Sequence, residues 1–106
     1  MVSFESELKM LLKTGKIAFG ANKAMKAARL GKAKLIIIAS NIPEDIKDDI
    51  LYYSRLSKIP VYMYRGTSIE LGTLCGKPFM ISTITVYDPG SSNVLELVKE
   101  EGAQIA

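Results

Sequence analysis

One stretch limits the architecture more than any other: Leu35-Ile-Ile-Ile-Ala39, an unbroken apolar run within the segment Lys34 to Ser40. A strand with one face in water alternates apolar and polar residues, and this run has no polar position to turn outward. It predicts a strand buried on both faces, at the centre of a largely parallel sheet. It falls far below the roughly 18 apolar residues that would span a bilayer. A strand buried on both faces needs a covering layer on each side, and helical patterns flank it in both directions.

Upstream, Phe4, Leu8, Leu11 and Leu12 repeat at helical spacing after Ser3, a natural cap, and Thr14-Gly15 closes that helix. A short extended piece, Lys16 to Phe19, leads through Gly20 into a second helix, Ala21 to Leu30, ended by Gly31. Ala21, Ala24, Met25 and Ala28 share its packing face, while Asn22, Lys23, Lys26 and Arg29 look outward. Downstream, Pro43, Glu44 and Asp45 open a third helix whose apolar arc reads Ile46, Ile50, Tyr53 and Leu56, with Asp49 anomalous inside it. Pro60 stops it, and Val61 to Tyr64 is a strand. Thr67-x-x-Glu70 is a capping box for a fourth helix of two turns, ended by Gly76 and Pro78. Met80 to Tyr87 reads as a strand, Asp88-Pro-Gly-Ser91 as a turn, and Val94 to Val98 as a last short strand or helical turn. Residues from Glu100 to Ala106 are expected to fray. Alternating helices and strands without a linker or repeat imply one domain over residues 1–106: a three-layer α/β/α sandwich around a mixed, largely parallel sheet. A chain of 106 residues buries roughly 65% of its unfolded surface, enough for a core without staples.

Catalytic chemistry finds little support. There is no histidine, and Asp45, Asp48 and Asp49 sit where acids suit a helix start. Cys75 lacks a base in the sequence around it, so it reads as a packed thiol, and a lone cysteine makes no internal disulfide. One cysteine without histidine argues against a metal site, and no dinucleotide or phosphate-loop motif calls for a cofactor. Lys13-Thr-Gly-Lys16 lacks the upstream glycine spacing of a phosphate loop. Met1-Val-Ser-Phe-Glu5 lacks a basic region followed by an apolar one, so a protein that stays inside the cell is expected.

Charge distribution points to binding instead. The net charge is only +3, yet the stretch from Leu8 to Pro43 holds no acid and carries Lys9, Lys13, Lys16, Lys23, Lys26, Arg29, Lys32 and Lys34. Nine of the eleven acids lie from Glu44 onward, so the field is polarised toward an anionic partner for the first half. Gly20-Ala-Asn-Lys23 opens the basic helix; a helix N-terminus offers free N–H groups to phosphate, Gly20 permits close approach, and Asn22 can read a base edge. Lys23 and Lys26 add charge. In Gly72-Thr-Leu-Cys-Gly-Lys-Pro-Phe79, Gly76, Lys77 and Phe79 pair a cation with a flat apolar ring, which suits an unstacked base beside a phosphate. Against that stands a core role for Phe79. Asn41 lies beyond a strand's C-terminal end, where α/β ligands collect, and can also cap a helix.

These motifs carry a family resemblance. Thr14-Gly-Lys16, Gly20 and Gly31-Lys-Ala-Lys-Leu-Ile-Ile-Ile-Ala-Ser-Asn41, with Tyr52-Tyr53, Leu56-Ser57, Ile59-Pro-Val-Tyr62, Glu70-Leu-Gly-Thr73, Gly76-Lys77 and Phe79, resemble the 30e family of large-subunit ribosomal proteins from archaea and eukaryotes. That family lies within the 7Ae superfamily of kink-turn RNA-binding sandwiches. The resemblance implies that Gly20, Asn22 and Lys23 face a kinked backbone and its sheared G·A pairs, and that Asn41, Gly76, Lys77 and Phe79 approach the asymmetric loop. It implies ribosomal RNA and the large subunit as partners, with the protein's own messenger RNA a further candidate, no membrane, and a monomer when free. The cytoplasmic ribosome would be its location, and the short N-terminus looks archaeal. Met80 stands where some members carry a basic residue, and Asn22 where some carry lysine. A kink-turn protein of a guide-RNA or ribonuclease particle is the alternative, less well matched by the segment Gly72 to Phe79; a small-ligand binder or enzyme of α/β type is the remote one.

Overall fold

The computed structural model describes residues 4–95 and 104–105; Ser3, proposed as a cap, and Glu96 to Val98 lie outside them. The described helices are α1 (Phe4–Thr14), α2 (Ala21–Leu30), α3 (Glu44–Ser57) and α4 (Ser68–Leu74), interleaved with β1 (Lys16–Phe19), β2 (Leu35–Ile38), β3 (Pro60–Met63), β4 (Thr83–Asp88) and β5 (Gln104–Ile105). The apolar run forms the middle of the sheet, whose order is β1-β4-β2-β3-β5. Alternation of side chains along β2 divides the core. Leu35, Ile37 and Ala39 join Leu8 and Leu11 of α1 and Leu71 of α4. Ile36 and Ile38 join Ala24, Ala27 and Ala28 of α2 and Ile50 of α3. Two helices cover each face, which makes the sandwich three layers.

The sheet is mixed, but the largely parallel arrangement expected from the apolar run is not what forms. Among the described residues only β2 and β3 pair in parallel; β4 runs antiparallel to both β1 and β2, and β5 antiparallel to β3. β1, β2 and β3 all point the same way, and β4 is inserted between β1 and β2. The cause is the length of α4. Its seven residues cover only about 10 Å, so the chain re-enters the sheet from the end it has just left. β4 begins later than the expected Met80, at Thr83. The terminal segment expected to fray contributes β5, a two-residue strand, and Val94–Leu95 begins helical rather than extended.

The inner arc of α3 also differs from expectation. Leu56 is 65% exposed, while Ser54 is fully buried. Ser57 Oγ donates to the Ala28 carbonyl across the α2–α3 contact (2.7 Å). Small side chains on both helices allow a close approach, so serines take positions that the hydrophobic pattern assigns to leucine. Asp49 is then simply exposed. Glu7 is a buried acid on α1: its carboxylate accepts from the Asn93 N–H (2.6 Å), and Ser92 Oγ donates to the Glu7 carbonyl (2.8 Å), which fastens the chain after β4 to α1.

Thr83 and Thr85 are fully buried beside Ile38 and Ile36 on the α2–α3 face, and among the described residues neither hydroxyl has a hydrogen-bond partner. An unpaired buried polar group costs about 1–3 kcal/mol. Thr85→Val is therefore expected to stabilise the fold by about 1 kcal/mol, raising the melting temperature by roughly 4–8 °C. A drop in calorimetric melting temperature would contradict the unpaired state of that hydroxyl.

Candidate nucleic-acid interface

Because β1, β2 and β3 run together and β4 starts where they finish, one end of the sheet gathers the β1–α2 turn, the β2–α3 loop, the start of α4 and the segment Gly76 to Ser82. Hydrogen bonds tie these pieces to one another. The Gly20 N–H donates to the Thr83 carbonyl (3.0 Å), the Ala39 N–H to the Ser82 carbonyl (2.8 Å) and the Ile81 N–H to the Ser68 carbonyl (3.0 Å). Lys77 Nζ stands 6.0 Å from the centre of the Phe19 ring, within cation–π range. The α4–β4 segment is thereby drawn to the base of α2.

Gly20 occupies the N-cap of α2 at φ 107°, ψ 147°, and a β-carbon there would meet nothing within 4 Å. The open space suits close approach of a ligand. The backbone angles add a requirement that spacing does not reveal, since this region belongs almost entirely to glycine. Gly20 thus serves the fold through its backbone angles as well as leaving room for a ligand. Gly20→Ala is expected to cost about 1–3 kcal/mol of stability, read by denaturant unfolding, before any effect on binding; unchanged unfolding would contradict it. Among the described residues no side chain caps α2, and no acid sits in its first turn. Its first N–H groups and the exposed Asn22 and Lys23 present a positive helix end. Lys26 lies one turn further along, in a groove with Lys23.

Asn41 does not cap α3, whose N-cap is Pro43. Its Oδ1 accepts from the Ser68 N–H (2.8 Å) and its Nδ2 donates to Ser68 Oγ (3.2 Å), so it ties the β2–α3 loop to the first turn of α4. The capping box is present in part: Thr67 Oγ1 accepts from the Glu70 N–H (3.2 Å). After α4, Gly76 takes a left-handed conformation at φ 72°. The Lys77 N–H returns to the Gly72 carbonyl (2.9 Å). This turn delivers Phe79 outward, and at 53% exposure it is not a core residue. Exposed Ile69 and Met80 flank it in a shallow groove with Thr73, Lys77 and Pro78. Sequence reasoning passed over Phe19 and Ile69, and noted Met80 only as a departure from the family pattern. Ile69 carries a readable signal, an apolar residue just inside a capping box; the Phe19–Lys77 contact joins distant segments and leaves no local trace.

Cys75 is buried at the end of α4. Burial pushes its thiol up to about 11, with nearby Lys77 opposing the shift. At pH 8 only about a thousandth of it would be thiolate, so alkylation by iodoacetamide is expected to be slow until the protein unfolds. Fast labelling of the native protein would contradict this. Among the described residues no cluster of three metal-binding side chains exists, and no helix is long and apolar enough to cross a membrane.

The class is a three-layer α/β/α sandwich with a mixed sheet. A solved structure of a protein of unknown function from Bacillus halodurans C shares it at a TM-score of 0.78 and 25% identity, over 94% of this chain and 99% of that one. The profile of the ribosomal protein L7Ae/L30e/S12e/Gadd45 family matches residues 3–96, and the chain belongs to that family. It is 61% identical to the large ribosomal subunit protein eL30 of Sulfurisphaera tokodaii, over 98% of this chain and 97% of the relative. Identity to eL30 of Saccharolobus solfataricus is 58%, covering 93% and 92%. For eL30 of Methanocaldococcus jannaschii it is 47%, covering 86% and 84%.

Proposed function

We propose that this chain is a single-domain structural constituent of the large ribosomal subunit in the archaeal cytoplasm, and that it binds ribosomal RNA at a kink-turn or asymmetric internal loop. Its near full-length likeness to archaeal eL30 proteins supports the subunit assignment. One observation carries the RNA face: the open start of α2 and the exposed Phe79 loop share one end of the sheet, joined by the Gly20–Thr83 bond and by Lys77 over Phe19. Gly20, Asn22 and Lys23 take the kinked backbone, with the positive helix end toward phosphate. Phe79 stacks on an unpaired base, and Lys77 and Gly76 hold the strand beside it. Lys26 adds charge, while Asn41 keeps the β2–α3 loop and α4 in register. Free of the ribosome, the protein is a monomer, with its own messenger RNA as a second ligand if that RNA carries the same kink. Sedimentation of native lysate tests the assignment: the protein is expected to migrate with large subunits and to leave them in high salt. Migration with small guide-RNA or ribonuclease particles would favour the other reading of the same face.

A further inference from the structure

Lys23 and Lys26 do not end at the sheet's tip. With Leu30 they form a stripe along α2 that turns toward β1, and a groove opens there between the helix and the sheet edge. Ala18 of β1 and Tyr87 of β4 line its other side, and Lys32, just past the helix, closes its far end. Among the described residues no acidic side chain lines it, and none of its three lysines has an ion-pair partner. β1 is the edge of the sheet, so one row of its backbone polar groups lacks a strand neighbour. The groove follows α2, a ten-residue helix about 15 Å long, from Lys23 near its kink-facing end to Lys32 just past its other end. A concave track with cations at intervals, an aromatic wall and free backbone groups matches a phosphodiester strand better than a compact ligand.

We infer that this groove seats the backbone of one RNA strand as it leaves the kink, with Lys32 holding the phosphate furthest from it. The inference rests on the RNA-binding reading above and extends it from the kink to the flanking helix. It places Lys32, which that reading does not use, among the RNA contacts.

The test is a salt series of binding affinities for the full chain and for Lys32→Ala, on two synthetic kink-turn RNAs: one with a full flanking helix on each side, one with both helices cut back to the kink. A straight duplex of the same length serves as control. Lys32 is exposed outside the regular elements, and equal melting temperatures confirm that the variant folds. Loss of one phosphate contact lowers the slope of log K against log salt by about one. That drop is expected on the long RNA and not on the short one, and Lys32→Glu should deepen it. Equal slopes for parent and variant on the long RNA would overturn the inference and leave the groove to an acidic protein neighbour. A drop of equal size on both RNAs would also overturn it, because Lys32 would then lie at the kink. If the parent binds the straight duplex as tightly as the kink-turn, the kink-binding reading itself falls, and the groove's assignment with it.

Discussion

Replacing Phe79 by alanine is expected to weaken binding of a kink-turn RNA by about ten- to hundredfold while leaving the free protein's melting temperature nearly unchanged. Stacking on an aromatic ring is worth about 1–3 kcal/mol per base, which sets the size of the loss. The ring is 53% exposed, so its removal opens no cavity. A buried phenylalanine would instead lose about 3–5 kcal/mol of folding stability. The two outcomes fall in different measurements: titration of the RNA and thermal melting of the free variant. A variant that melts far below the parent yet binds normally when folded would put Phe79 in the core.

Gly72→Ala is expected to damage the same face from beneath. Gly72 is buried on α4, and a β-carbon there would strike the Phe79 carbonyl oxygen. The obstacle is backbone, so it cannot rotate away as a side chain would. Overpacking of this kind costs about 1–3 kcal/mol or more, and relief requires α4 and the Lys77–Met80 segment to separate. Both stability and RNA affinity should fall, although Gly72 itself touches no ligand in this account. Gly76→Ala supplies the contrast. Its φ of 72° penalises a side chain by about 1–2 kcal/mol, but the added methyl meets nothing within 4 Å. A Gly72→Ala protein as stable as the parent would show that the α4–loop contact is softer than this packing implies.

The legible parts of the fold were those carried by local pattern. The run at Leu35 to Ala39 announced burial on both faces, and the α2 boundaries followed from Gly20 and Gly31. Strand direction was not written in that run, because burial of a central strand looks the same in either direction. The length of α4 held the missing information: two turns are too short to carry the chain back across the sheet. Met80 to Ser82 continued the β-branched pattern of β4 but runs across the end of the sheet, where its bonds go to Ser68 and Ala39. On α3, Ser54 and Ser57 displaced Leu56 from the interior because tight packing on an alanine-rich helix favours small side chains. In the candidate site, residue types were readable and their grouping was not. Gly20 and Lys77 lie far apart in the chain, and only the insertion of β4 beside β1 brings their segments together. The place of Asn41 after a strand suggests a ligand contact, yet its amide is spent on Ser68, a partner that spacing does not reveal.

This face is expected to meet large-subunit ribosomal RNA at a kinked internal loop. Ultraviolet crosslinking in cells, with sequencing of the attached RNA and mapping of the crosslinked peptide, tests it most directly. The expected result is a dominant site in large-subunit ribosomal RNA, at an asymmetric internal loop, joined to a peptide containing Phe79. Crosslinks concentrated in guide or ribonuclease RNA, or attached through the acidic face of α3, would contradict it.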